Sequence, residues 1–183
     1  MGYKVKTLDR ELFRQTCLDL RQKVEESGFQ PDVVIAVPRA GMWVHEAAWS
    51  DFPLYAIKLI RPSKGKLKKS VSWLIKRLPL RLRDAIRIWE ARKLVKRQSH
   101  MTTTGIELPQ LPDDVKNILF IDDAVDSGAT LKAIVEKTQN EYQKADIRSA
   151  VITLTYPEAI YKPDYCIYNN QILIRTPWSI DMR

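Results

Sequence analysis

Ile118-Leu119-Phe120-Ile121-Asp122-Asp123-Ala124-Val125-Asp126-Ser127-Gly128-Ala129-Thr130-Leu131 is the run on which the fold turns. Four consecutive apolar residues, Ile118 to Ile121, read as a strand buried on both faces. Two adjacent carboxylates close it, and a short Asp-Ser-Gly-Ala-Thr turn leads into a helical pattern from Leu131. Amide N–H groups at a helix start have no intrahelical partners and carry the positive end of the helix dipole, so they suit a phosphate. Gly128 lets backbone approach closely, and Ser127 and Thr130 add hydroxyl donors. Asp122, Asp123 and Asp126 would repel a phosphate. They are therefore read as facing sugar hydroxyls, a Mg²⁺ ion or a base.

Outward from this run, the chain alternates helix and strand, which argues for an α/β fold with a mostly parallel sheet. Asp9 to Ser27 reads as an amphipathic helix with Leu12, Phe13, Cys17, Leu20 and Val24 on one face and Gly28 as its stop. Strands are expected at Val33–Val37, Leu54–Ile60, Ile118–Ile121, Ala150–Leu154, Tyr165–Tyr168 and Ile172–Ile174. Further helices are expected at Met42–Trp49 and Leu131–Tyr142. A chain of 183 residues fits one domain with a sizeable core. No apolar stretch reaches the length of a transmembrane helix. The N-terminus lacks the apolar run of a signal peptide. Cys17 and Cys166 are far apart and without ligand-spaced neighbours, so they read as free thiols of a cytoplasmic protein. His45 reads as a packing residue.

The central run resembles the phosphoribosyl diphosphate (PRPP) signature of type I phosphoribosyltransferases: an apolar strand, two acids, two spacers, then Asp-Ser/Thr-Gly-x-Thr. Pro38-Arg39-Ala40-Gly41, at the carboxyl end of the first strand, falls where open α/β sheets place functional loops. The resemblance covers residues 32–60 and 117–178. It implies an open, mostly parallel sheet flanked by helices, with a small C-terminal hood. It further implies Mg²⁺-dependent transfer of phosphoribose from PRPP to a nucleobase, releasing pyrophosphate, as in nucleotide salvage. Asp122 and Asp123 would hold the ribose hydroxyls, directly or through Mg²⁺. Asp126, Ser127, Gly128, Ala129 and Thr130 would grip the 5′-phosphate, with Asp126 also placed to accept a proton from the base. Pro38, Arg39, Ala40 and Gly41 would receive the pyrophosphate, with a cis peptide at Pro38–Arg39, and Lys58 or Arg61 could reach it too.

The C-terminal stretch, with Tyr161-Lys162-Pro163-Asp164-Tyr165 and Pro177-Trp178, is closest in character to hypoxanthine-guanine and xanthine-guanine phosphoribosyltransferases. This implies a 6-oxopurine acceptor. Thr155 or Tyr156 stands where those enzymes have a Lys, and Leu173, with Ile174 beside it, where they have a stacking aromatic. Tyr156, Leu173 and Ile174 are thus the candidate base-binding residues. Two alternatives stay open: a PRPP- or nucleotide-sensing regulator on the same fold, and a transferase with a non-purine acceptor. The resemblance also suggests a homo-oligomer.

Residues 61–116 read as a basic helical insertion in the single domain 1–183. Between 61 and 100 there are fourteen Lys/Arg against two acids, whereas the whole chain is only +8. The charge therefore belongs to the insertion, not to the fold. From Ser70 to Arg97 the pattern is helical, with a stripe of Val71, Leu74, Leu78, Leu82, Ala85, Ile86 and Trp89. Pro79 should kink or split it. Met101 to Gly105 reads as a mobile loop. The insertion is read first as a helical cap or dimer contact. Contact of residues 70–97 with an anionic membrane surface comes second. Nucleic acid comes last, because no base-reading motif accompanies the charge.

Overall fold

A computed structural model describes residues 2–59, 78–96, 105–169 and 171–179. The elements run β1 (Lys4–Thr7), α1 (Arg10–Glu26), β2 (Val33–Ala36), α2 (Ala40–Ala48), β3 (Tyr55–Ala56), β4 (Lys58–Leu59), α3 (Leu80–Lys96), β5 (Ile106–Glu107), β6 (Asn117–Val125), α4 (Ala129–Glu141), β7 (Asp146–Leu154), β8 (Tyr165–Tyr168) and β9 (Ile172–Arg175). The central sheet has five parallel strands in the order β3-β2-β6-β7-β8. Side chains of both faces are buried. Phe13, Cys17, Leu20, Leu119 and Ile121 pack on the α1/α2 side. Ile118, Phe120, Leu131 and Ile134 pack on the α4 side. Two covered faces are what continuous apolar strands such as Val33-Val34-Ile35-Ala36 demand.

α1 follows its sequence signals. The Asp9 side chain accepts the Leu12 N–H at 2.8 Å, and Gly28 takes φ 79° past the last turn. Thr16 joins the buried face and returns its hydroxyl to the Leu12 carbonyl, whereas Leu12 itself is exposed. His45 is buried, with Nε2 3.1 Å from the Phe52 carbonyl, a packing role. Cys17 and Cys166 are free thiols. No helix among the described residues is long and apolar enough to cross a membrane.

The structure departs from the expected set of elements in three places. The strand foreseen at Leu54–Ile60 is two short strands. β3 pairs with β2, but β4 leaves the sheet and pairs antiparallel with β5. Ile57, between them, points its side chain into the core. Residues 105–116 of the insertion consequently belong to the folded body, with Leu111 buried against the α4 side. Second, the N-terminal Lys4–Thr7 is a strand, paired in parallel with β9. Third, β6 continues to Val125, so Asp122 and Asp123 lie within a strand rather than beyond it.

α3 starts directly after Pro79, whose carbonyl accepts the Leu82 and Arg83 N–H groups. Pro79 thus stands at the helix start, and the part of the pattern before residue 78 lies outside the described residues. The foreseen stripe is not what this helix buries. Leu82 is 50% exposed and Trp89 59%. Polar side chains do the docking: Arg87 donates to the Ile174 carbonyl, and Asp84 pairs with Arg175, which is buried and also donates to the Thr7 hydroxyl. Val71, Leu74, Arg61 and residues 101–104 lie outside the described residues.

Candidate active site at the carboxyl ends of the parallel strands

Strand β6, the turn after it and α4 bring the acidic run and the Asp-Ser-Gly-Ala-Thr turn together at one end of the sheet. Asp126 is exposed and is oriented from the next strand. The buried Thr155 hydroxyl, just past β7, lies 2.5 Å from its Oδ1, and the Thr155 N–H donates to the Val125 carbonyl. Thr155, considered as a base contact, is thus a partner of Asp126. This role was invisible in the sequence because it links positions 29 apart.

Gly128 caps α4 with φ 78°. A Cβ there would lie 2.1 Å from the Tyr161 carbonyl oxygen and 2.7 Å from its nitrogen. The close approach that this glycine permits is made by protein backbone. The Ile160 N–H donates to the Ser127 carbonyl, so segment 156–161 is seated on the turn. Ser127 Oγ accepts the Ala129 N–H at 3.3 Å, and Thr130 stands half-buried in the first turn of α4.

Asp122 Oδ1 accepts the Asp123 N–H at 2.8 Å. Burial pushes the Asp123 carboxyl up to about 6, and the charge of Asp126 pushes the same way against a hydrogen bond to Asp122. The Asp123 charge in turn adds to the burial that lifts the Cys17 thiol to about 12. Cys17 is therefore a protonated core residue, not a nucleophile. Crowded carboxylates of this kind favour a nearby cation. Mg²⁺ typically takes one or two carboxylates and completes its shell with water and substrate phosphates, so Asp122 and Asp123 fit such an ion. No group of three or more His, Cys, Asp or Glu side chains that could hold a metal occurs among the described residues.

The Pro38–Gly41 turn joins β2 to α2. The Pro38–Arg39 peptide is trans, correcting the cis bond implied by the resemblance. The unusual geometry sits one dihedral along: Arg39, exposed, has φ 84° and ψ −95°. For a residue with a Cβ this conformation costs about 1–3 kcal/mol and tends to persist at functional turns. Gly41 is buried, and a Cβ there would lie 2.6 Å from the Ile121 carbonyl. The glycine brings the start of α2 onto β6 just before the acidic pair.

The candidate base-binding residues separate. Tyr156 is half-buried and its hydroxyl donates to Glu158 at 3.1 Å, the bond that chiefly raises its phenol pKa. Ile174 is buried in the core cluster that holds Phe13 and Cys17. Leu173 is buried on β9. Next to β9, Gln171 has φ 67° and a buried Oε1 with no hydrogen-bond partner among the described residues. A buried orphan acceptor is costly unless something donates to it. A lone Gln in a polar stretch gave no sequence signal. Lys58 is paired with Glu107 across β4–β5 at 2.8 Å.

No protein-family model matches the chain, and no curated protein matches it in sequence. Solved structures do. The xanthine-guanine-hypoxanthine phosphoribosyltransferase of Helicobacter pylori aligns with a TM-score of 0.68 at 22% identity, over 98% of this chain and 96% of that one. A purine phosphoribosyltransferase from Pyrococcus horikoshii aligns at 0.58 and 20% identity, over 96% and 93%. A hypothetical protein from Neisseria gonorrhoeae with bound ppGpp aligns at 0.59 and 14% identity, over 99% and 94%. Over nearly its whole length, the chain has the fold of the purine phosphoribosyltransferases.

Proposed function

We propose that this protein is a phosphoribosyltransferase that moves phosphoribose from PRPP to a nucleobase, with a 6-oxopurine as the favoured acceptor. The observation that carries this reading is the Asp122–Asp123 pair feeding into a helix-capping Asp-Ser-Gly-Ala-Thr turn whose Asp126 is held by Thr155. The turn and the first amides of α4 would take the 5′-phosphate. Asp122 and Asp123 would hold the ribose hydroxyls and bind Mg²⁺. Bound there, the ion would neutralise charge on the departing pyrophosphate. Asp126, steered by the Thr155 hydroxyl, would accept a proton from the incoming nitrogen. The strained Arg39 turn would aim its amides and guanidinium at the pyrophosphate. Catalysis in this scheme is chiefly positioning and charge stabilisation of an oxocarbenium-like transition state.

The acceptor assignment draws on the H. pylori and P. horikoshii neighbours, whose names specify purines. Gln171, with its orphan acceptor beside β9, is the residue of the hood best suited to receive an N–H of a base. Pyrophosphate release from PRPP and Mg²⁺ tests the reading, using hypoxanthine, guanine, xanthine, adenine, uracil and orotate in turn. Release with one or more 6-oxopurines is expected. Silence across the panel with PRPP still bound favours the second reading, a nucleotide-sensing regulator. Two observations support that second reading: the N. gonorrhoeae neighbour carries ppGpp, and an aliphatic Leu173 stands on the hood strand where the resemblance expects an aromatic.

A further inference from the structure

Away from the acidic turn, a cavity of about 510 Å³ opens between α1, α2 and the segment after β9, lined by Arg10, Phe13, Arg14, Trp43, Glu46 and Trp178 among others. Its aromatic floor is ordered. Trp43 and Trp178 stack with centroids 5.4 Å apart and planes 18° apart, and Phe13 meets Trp178 edge-on at 4.8 Å. Yet Trp43 is 49% exposed and Trp178 37%. Two indoles stacked on each other while partly in water form a platform for another flat group. Arg10 and Arg14 are one helical turn apart on α1, and neither pairs with an acid among the described residues. Glu46 stands one turn beyond Trp43 on α2.

We propose that this groove is a second ligand site, for a guanine nucleotide bearing a diphosphate. The base would stack on the exposed indole of Trp43, and the phosphates would engage the guanidinium groups of Arg10 and Arg14, whose forked donors match phosphate oxygens. The Glu46 carboxylate accepts only, and guanine presents two adjacent N–H donors on one edge whereas adenine presents a single amino group. That chemistry selects guanine. The volume falls in the range of small-molecule sites. The site is also placed to act on the first. α2 starts at the Pro38–Gly41 turn, and Trp178 follows closely on β9, so a ligand across both would tie the hood to the strained turn. Binding stands independently of the transferase reading; only this regulatory consequence rests on it.

Guanosine diphosphate is the probe. It should quench tryptophan fluorescence of the full chain, bind by calorimetry, and keep its affinity in the presence of saturating PRPP and Mg²⁺. Arg14→Ala, an exposed change, should weaken it at least tenfold, as should Trp43→Ala. PRPP affinity should stay unchanged in Arg14→Ala, and adenosine diphosphate should bind the wild-type chain more weakly. Competition with PRPP combined with unaltered affinity in Arg14→Ala would place the nucleotide in the acidic site and overturn the proposal. So would absence of binding at millimolar nucleotide. Should no acceptor be turned over while guanosine diphosphate still binds through Arg14, the transferase reading fails and the groove stands.

Discussion

The turn after β6 and the strand pair β1–β9 are built in opposite ways. The turn is written in one continuous run, Ile118 to Leu131, whose strand, acids, glycine and helix start are neighbours in sequence. The strand pair is assembled from the two ends of the chain and braced by a third region: Lys4–Thr7 pairs with Ile172–Arg175, and Asp84 and Arg87 of α3 reach across to it. A contiguous device carries its reason in local order. One assembled from distant pieces carries it only in space.

Substitutions can break that contrast, and their expected effects fall in a clear order. Gly128→Ala should cost most. It forces a Cβ into φ 78° and onto the Tyr161 backbone, so a loss of roughly 3 kcal/mol or more is expected, with collapse of PRPP binding. Denaturant unfolding with a PRPP titration checks it, and a wild-type midpoint would mean that segment 156–161 does not sit on the turn.

Asp84→Ala removes the carboxylate facing the buried Arg175 guanidinium. About 2–3 kcal/mol should be lost, although residue 84 lies in the insertion. Thermal melts decide. An unchanged melting temperature would make α3 an appendage rather than a brace.

Thr155→Val should cost about 1 kcal/mol of stability through the lost hydroxyl contact. Its larger effect should be on turnover, down about tenfold with little change in PRPP affinity. An equal fall in affinity would place Thr155 in binding instead of in the orientation of Asp126.

Asp123→Asn should act with the opposite sign, and its net gain should be the smallest, because the replacing amide is itself a polar group that must be buried. The carboxyl titrates near 3.8 when unfolded and about 6 when folded. The fold therefore holds its proton more tightly, and stability declines as pH rises through that window and stays lower above it. The amide should remove this slope and raise the melting temperature at pH 7.5 by roughly 2–4 °C in EDTA. In the same variant turnover should disappear. Retained turnover would sink the ribose and metal role.

The parallel core, α1 with its Asp9 cap, and the acidic turn were legible because apolar runs, caps and glycine turns are local signals. The bent strand at Tyr55–Leu59 was not, because its break depends on a partner at Ile106–Glu107. α3 misled for a related reason. Its apolar stripe through Leu82 and Trp89 suggested the buried face, but the helix is held by Asp84 and Arg87, whose partners are a buried arginine and a strand carbonyl. In the site, Asp122, Asp123 and the Ser127–Thr130 turn could be named from order alone. The Thr155–Asp126 contact, the strain at Arg39 and the orphan oxygen of Gln171 could not, since each is defined by what surrounds it.

The seating of Tyr161 on Gly128 has a consequence for how such chains diverge. Position 128 is constrained twice, once by its backbone angle and once by the neighbour lying against its Cα. A relative with a side chain at 128 must therefore also carry a different path between β7 and β8, and lengthening that connection alone would relax one constraint but not the other. The Asp126–Thr130 turn and the segment from 156 to 161 should thus be inherited as a pair and change together in descent, although about two dozen residues or more separate them in the chain.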